Sequence, residues 1–201
     1  MKAPFSPHIT KDPSRSRWHV NEDPQKLDDT LDDFLGRDGS RMLPEGLKWL
    51  AVTHKSFDQG RRGFNDRLAF LGRQICVLEA MESIVTSVSQ TSAPKPDDVD
   101  ADLFAERRQP FEDSALRSLD NLSKTQPSDI FTVEKLTKLA LDTGLSEVIR
   151  WKPRMPENPT GSGFNTVMSG AVYSLVGAVA LQNGGKIASK IVRERIIKRL
   201  Q

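Results

Sequence analysis

The chain has 201 residues, of which 37% are hydrophobic and 28% are charged. Its 29 lysines and arginines nearly balance its 27 aspartates and glutamates, which excludes a polycation that binds nucleic acid through net charge alone. The single cysteine, Cys76, excludes an intramolecular disulfide framework and a zinc site built from several thiolates. Contacts with a polyanion must therefore come from local clusters of cations.

The first predicted unit is an extended N-terminal arm over residues 1–26. Three prolines within its first thirteen residues prevent a long amphipathic helix. Residues 1–20 carry four cations against one acid, a composition that fits either the remnant of a transit peptide or a simple tail. We predict that Trp18, which follows two arginines in this arm, anchors the arm on a partner.

Helical periodicity begins after the arm and continues to residue 88. An amphipathic helix with an acidic face is predicted over residues 27–35, and a second helix follows Pro44. The longest helical pattern runs from Asp66 to about Val88, with its leucines and other large apolar residues along one face. From residue 90 to residue 109 the pattern gives way to a flexible insertion rich in acids, proline and serine.

The C-terminal half is also predicted to be helical. Helices are expected over residues 110–123, 133–143 and 145–149, with Gly144 as the glycine that ends the middle one. An apolar helix over residues 165–181 is interrupted by serines and glycines, so we expect a buried core helix rather than a membrane span. A basic helix over 186–200 ends the chain, with Ile187, Ile191, Ile196 and Leu200 facing inward. No strand pattern is present, so the predicted fold class is all-α.

Four ordered segments of the sequence resemble the ribonuclease III family. Residues 65–73 read Asn-Asp-Arg-Leu-Ala-Phe-Leu-Gly-Arg, which is similar to the family signature Asn-Glu-Arg-Leu-Glu-Phe-Leu-Gly-Asp. Residues 53–57 resemble its Thr-His-Arg/Lys-Ser-Tyr/Phe segment, and residues 133–149 resemble a helix followed by a Gly-Leu turn. Residues 171–178, with the glycine pair at 184–185, resemble its second acidic helix and the turn after it.

The resemblance covers roughly residues 27–200 and implies a ribonuclease III-like helical domain, with no double-stranded-RNA-binding domain after it. In the enzymes, two carboxylates on the signature helix and two on the later helix hold Mg²⁺ for phosphodiester hydrolysis. None of the four carboxylates is present at the matching positions of this sequence, so we predict no metal, no cofactor and no catalysis. Those four positions are Ala69, Arg73, Gly170 and Tyr173.

The same resemblance predicts two kinds of contact surface. Family members pair through the signature helix, so Phe70 and Leu71 are predicted to pack on a partner together with Trp18. The family also binds double-stranded RNA by its shape and phosphates. Two clusters of cations are predicted to contact RNA, one before and within the signature segment and one on the last helix. Their members are Lys55, Arg61, Arg62, Lys186, Lys190, Arg193, Arg195, Lys198 and Arg199.

Degenerate ribonuclease III domains of about this size occur as structural proteins of the mitochondrial large ribosomal subunit, notably in fungi, where two such chains pair as a heterodimer. The resemblance therefore implies a non-catalytic ribosomal protein of the mitochondrial matrix that binds rRNA, other mitochondrial ribosomal proteins and a related subunit. The alternative is a regulatory pseudo-nuclease that pairs with an active ribonuclease III chain in RNA processing. The identity of the partner would distinguish the two hypotheses.

Overall fold

A computed structural model describes residues 18–87 and 117–200, and all regular secondary structure in these ranges is helical. One isolated parallel bridge joins Thr53 to Arg150. Short 3₁₀ turns occupy Gly39–Met42, Phe57–Gly60, Arg117–Asp120 and Thr160–Ser162. The α-helices are α1 (Pro24–Leu35), α2 (Glu45–Ala51), α3 (Asp66–Thr86), α4 (Asn121–Lys124), α5 (Pro127–Ile130), α6 (Val133–Asp142), α7 (Leu145–Val148), α8 (Phe164–Asn183) and α9 (Gly185–Ile191).

The chain remains helical after α9. A π-helical segment, Val192–Ile197, and a last turn, Lys198–Leu200, continue in the same direction. We call α9 and these two segments together the C-terminal helix. Because π-helical segments insert an extra residue into a turn, they shift the face that points inward. Ile196 and Ile197 are accordingly both buried.

The predicted all-α class is confirmed, and most predicted helices lie within a few residues of their expected bounds. Helix α1 begins at Pro24, inside the segment assigned to the arm, because the Asp23 side chain caps it by accepting from the Gln25 amide. Gly144 has φ +70° directly after α6, as expected for a glycine that ends a helix. The acidic insertion and residues 110–116 of the predicted helix lie outside the described residues.

The core of the fold is the crossing of α3 and α8, where the two backbones are in direct contact. A Cβ atom at Gly72 would overlap the carbonyl of Tyr173, and one at Gly177 would overlap the carbonyl of Leu68. Helix α8 is the one helix of the described ranges long and apolar enough to cross a membrane, but 61% of its most apolar window is buried inside the protein. The structure therefore uses this helix as the centre of the core, against which α2, α3, α6 and α9 pack.

The apolar face of α3 points partly away from this core. Leu68 is buried, but Leu71, Leu78 and Met81 of the same predicted face have exposed fractions of 37%, 62% and 41%. The reason is that α8 packs against small residues of α3, among them Gly72, rather than against the leucines. The structure also corrects the inward face of the C-terminal helix, because Ile187 is exposed and Ala188 takes the buried position of that turn.

The close crossing of α3 and α8 predicts that two glycine-to-alanine substitutions change the free energy of unfolding by very different amounts. Gly72→Ala should lower the free energy of unfolding by about 2–3 kcal/mol, because its methyl group would force α3 and α8 apart. Gly170→Ala on α8 should leave stability unchanged or raise it by up to about 1 kcal/mol, because a Cβ there meets no heavy atom within 4 Å. Denaturant unfolding of both variants checks this, and equal stability of the two would contradict the described crossing.

Candidate nucleic-acid interface

The four positions that the resemblance assigns to metal binding lie on α3 and α8, close to where these helices cross. Arg73 is exposed on α3, and Tyr173 is half-buried on α8, near enough for the guanidinium charge to act on the phenol. Burial raises the pKa of Tyr173 to about 12, so the phenol stays neutral at physiological pH. The Tyr173 ring also packs beside Phe131 with 6.3 Å between ring centroids, and a Cβ atom at Gly170 would meet no heavy atom within 4 Å.

No group of three or more His, Cys, Asp or Glu side chains that could hold a metal ion occurs in residues 18–87 and 117–200. The carboxylate closest in sequence to the four positions is Asp66, and it already pairs with Lys55 at 3.3 Å. His54 nearby accepts the Ser56 amide on Nδ1. Burial lowers the pKa of His54 and Lys55 adds to this effect, while Asp66 opposes it. A metal-binding cage of oxygen ligands is thus not formed by the described residues.

The three cations predicted to bind RNA near the signature segment are exposed, but two of them have acidic neighbours. Lys55 pairs with Asp66, and Arg62 lies 3.5 Å from Asp58 within the same loop. Arg61 has no ion-pair partner within the described part of the chain. Ion pairs this exposed are weak, so all three cations remain accessible to a polyanion.

The six cations predicted on the C-terminal helix divide into two groups. Lys186, Lys190 and Lys198 are exposed and have no ion-pair partner among the residues described. These three lysines, Ser189, Arg193 and Glu194 line one open groove along the helix. Arg199 donates to the backbone carbonyl of Asp33 at 3.5 Å. The lysines therefore keep their charge available for phosphate groups.

Arg193 and Arg195 also make contacts within the fold, and their contact with RNA stays a prediction. Arg193 Nε donates to the buried carboxylate of Glu79, and its Nη2 donates to Glu82 at 2.7 Å. Arg195 is half-buried, and its guanidinium lies against Gly36. These contacts join the C-terminal helix to α3 and to the end of α1. Sequence reasoning could not find them because they link residues more than one hundred positions apart.

The Glu79 carboxylate is kept charged inside the protein by this arginine. Burial would raise its pKa, but hydrogen bonds from Arg193 and Ser189, together with the charge of Arg193, outweigh burial and the pKa is lowered. Only 3% of the Glu79 side chain is exposed. A buried carboxylate with these partners stabilises the attachment of the C-terminal helix to α3, and removing either partner is costly.

The residues predicted to contact a partner protein differ in their environment. Phe70 has an exposed fraction of 68% and Leu71 one of 37%, so both are accessible on the outer face of α3, where Leu78 and Met81 follow. Trp18 is different: its ring packs edge-on against Trp151 with 5.5 Å between ring centroids. Trp18 is therefore partly buried against the core of its own chain, and its contact with a partner stays a prediction.

Comparison with known proteins agrees with this geometry. Residues 44–200 match the family described as ribonuclease-III-like, and the chain belongs to that family. It is 50% identical to the large ribosomal subunit protein mL57 of Neurospora crassa, over all 201 residues of this chain and 72% of that protein.

Solved structures show the same fold. The nuclease domain of ribonuclease III from Campylobacter jejuni is similar with a TM-score of 0.55 and 22% identity, over 89% of this chain and 96% of that one. A second structure of the same domain, which concerns flexibility in a region involved in dimer formation, has a TM-score of 0.57 and 21% identity over 88% and 98% of the two chains.

The Glu79–Arg193 pair predicts a specific pH dependence of stability. Because the pKa of folded Glu79 is lowered from an ordinary value of 4.5, its contribution is present above pH 4.5 and is lost as the pH falls through the lowered value. Glu79→Gln should lower the free energy of unfolding at pH 7 by about 1–3 kcal/mol. The difference in the free energy of unfolding between Glu79→Gln and the unsubstituted protein should shrink in acid. Glu134→Gln, at an exposed position of α6, should change neither the free energy of unfolding at pH 7 nor its dependence on pH. A difference for Glu79→Gln that is independent of pH would contradict the pairing.

Proposed function

We propose that this chain is a non-catalytic structural component of the large subunit of the mitochondrial ribosome and works in the mitochondrial matrix. The observation that carries this proposal is the 50% identity to large ribosomal subunit protein mL57 over the whole chain. The surface of the described residues fits such a role, because it offers exposed cations for rRNA and an exposed apolar helix face for a neighbouring protein.

The absence of catalysis follows from the chemistry of the four positions near the α3–α8 crossing. A methyl group, a guanidinium, a glycine and a neutral phenol replace the acids that the resemblance assigns there. Arg73 would also repel a divalent cation. At about 5 Å and an effective dielectric constant near 20, each unit of cation charge would be opposed by about 3 kcal/mol. Hydrolysis by a bound Mg²⁺ has no ligands to support it here.

The RNA-binding role rests on the three exposed lysines of the C-terminal helix and on the cations before α3. Lysine contacts to phosphate carry no base information, but they fix the position of a protein on a folded RNA. This is the kind of contact that a structural ribosomal protein needs, because it binds one RNA shape rather than many sequences. Arg193 contributes to this surface by holding the C-terminal helix in place.

The partner surface rests on the outer face of α3. Phe70 and Leu78 are about two-thirds exposed, and Leu71 and Met81 extend the same apolar face. Contiguous exposed apolar residues mark protein contacts. We assign this face to a related ribonuclease III-like subunit, with which the chain forms a heterodimer. Helix α3 contains the signature segment, and this is the helix through which family members pair.

The ribosomal assignment predicts that the chain sediments with mitochondrial large ribosomal subunits. In a sucrose gradient of a mitochondrial lysate, the chain should appear in the large-subunit fractions and move to lighter fractions after ribonuclease treatment. A pool found only outside these fractions would overturn the assignment. If that pool contained an active ribonuclease III chain as its partner, the regulatory pseudo-nuclease would replace the ribosomal hypothesis.

The partner assignment predicts that Phe70→Glu with Leu78→Glu abolishes copurification of the related subunit. Two charges placed in the buried centre of an apolar interface are strongly unfavourable. The matched control is Leu119→Glu with Leu141→Glu, because these leucines are 47% and 51% exposed on other helices. The control should copurify the subunit as the unsubstituted chain does. Full copurification with the α3 variant would show that the partner binds elsewhere.

A further inference from the structure

Two loops that are far apart in the sequence meet beside the start of α3. They span residues 52–65 and residues 149–163, and backbone hydrogen bonds join them. The His54 amide donates to the Arg150 carbonyl at 2.8 Å, and the Arg150 amide donates to the Val52 carbonyl at 2.8 Å. The Thr53–Arg150 bridge is thus a fixed junction, and it holds the side chains of one loop beside those of the other.

A side-chain contact extends the junction beyond the bridge. The Lys152 amide donates to Ser56 Oγ at 2.9 Å, so the second loop runs along the first past the bridge itself. The two loops together contain six lysines and arginines but only two acids, Asp58 and Glu157. We call the six cations the junction patch. They are Lys55, Arg61, Arg62, Arg150, Lys152 and Arg154.

Half of the junction patch has no acidic partner in the ranges that the structure describes. Arg61, Lys152 and Arg154 are exposed and form no ion pair there. Lys55 and Arg62 pair with Asp66 and Asp58, but their side chains are 60% and 67% exposed. The acids therefore cancel only part of the charge, and the surface keeps an excess of cations that faces solvent.

Arg150 forms the rigid centre of the patch. Its guanidinium carbon lies 3.5 Å from the centroid of the Trp49 ring, and its Nε donates to the Asn21 carbonyl at 3.2 Å. Burial and then the charge of Arg62 lower the pKa of Arg150, and each guanidinium lies 5.9 Å from the centre of the Phe57 ring. A stacked arginine loses little conformational entropy when it binds a phosphate oxygen.

We propose that the junction patch binds the phosphate backbone of RNA, as a second RNA-binding surface besides the C-terminal helix. This inference rests on the proposed function and adds cations of the second loop to the RNA contacts. RNA fits better than an acidic protein, because six lysines and arginines on two adjoining loops match the repeated negative charge of a phosphate backbone. Backbones of nucleic acids are bound by arginine and lysine in this way.

The test replaces two exposed cations of the second loop and leaves the junction itself intact. Lys152→Gln with Arg154→Gln removes two charges while keeping the Lys152 amide that bonds Ser56. The matched control is Arg37→Gln with Lys124→Gln, which removes the same charge from exposed sites outside both loops. The probe is a labelled RNA duplex of about 20 base pairs, whose A-form shape presents the phosphates. Affinity is measured over a series of salt concentrations.

The junction variant should bind the duplex about tenfold more weakly near 0.1 M salt. The slope of the logarithm of its binding constant against the logarithm of salt concentration should be smaller in magnitude by about 1–2. The control should change the affinity by less than about twofold. Equal losses in both variants would show a bulk charge effect and would overturn the proposal, as would an unchanged junction variant. Loss of binding to poly-glutamate with RNA binding retained would overturn it in favour of a protein contact.

Failure of this inference and failure of the proposed function give different results. A further variant, Lys186→Gln with Lys190→Gln, removes two charges from the C-terminal helix. If this variant loses RNA affinity while the junction variant keeps it, the RNA-binding role stands and the junction patch is excluded. If the unsubstituted chain binds no RNA and does not sediment with large ribosomal subunits, the proposed function itself fails.

Discussion

The close approach of α3 and α8 is the constraint from which the rest of the structure follows. Gly72 and Gly177 allow the two backbones to touch, and no larger residue fits at either position without moving a helix. Since α8 is covered by its neighbours along most of its length, it fixes the position of α3 rather than the reverse. Leu71 and Leu78 of α3 are left on the outer side, which creates the exposed apolar face that we assign to a partner.

A second constraint is the attachment of the C-terminal helix to α3. Arg193 reaches a carboxylate that is almost fully buried, on the side of the C-terminal helix where Ala188, Ile191 and Val192 are buried as well. Lys186, Lys190 and Lys198 face solvent together and line one groove. The same helix thus uses Arg193 and Arg195 within the fold and leaves these three lysines exposed.

Local features of this fold could be predicted from sequence, and long-range ones could not. The periodicity of α6 and the glycine at 144 predict a helix and its end, because both depend on neighbouring residues. The buried face of α3 was not predictable, because packing depends on small residues such as Gly72 that carry little hydrophobic signal. The pairing of Glu79 with Arg193 and the meeting of the loops around Arg150 also depend on the three-dimensional fold.

The helix crossing and the positions that the resemblance assigns to metal ligands involve different side chains of the same two helices. The positions that the resemblance assigns to metal ligands lie at the rim of the crossing, where Arg73 is exposed and Gly170 faces open space. Tyr173 also packs beside Phe131, with 6.3 Å between ring centroids. The crossing itself depends on its glycines and on the apolar surface of α8. The packing of these two helices thus requires no acid at any of the four positions.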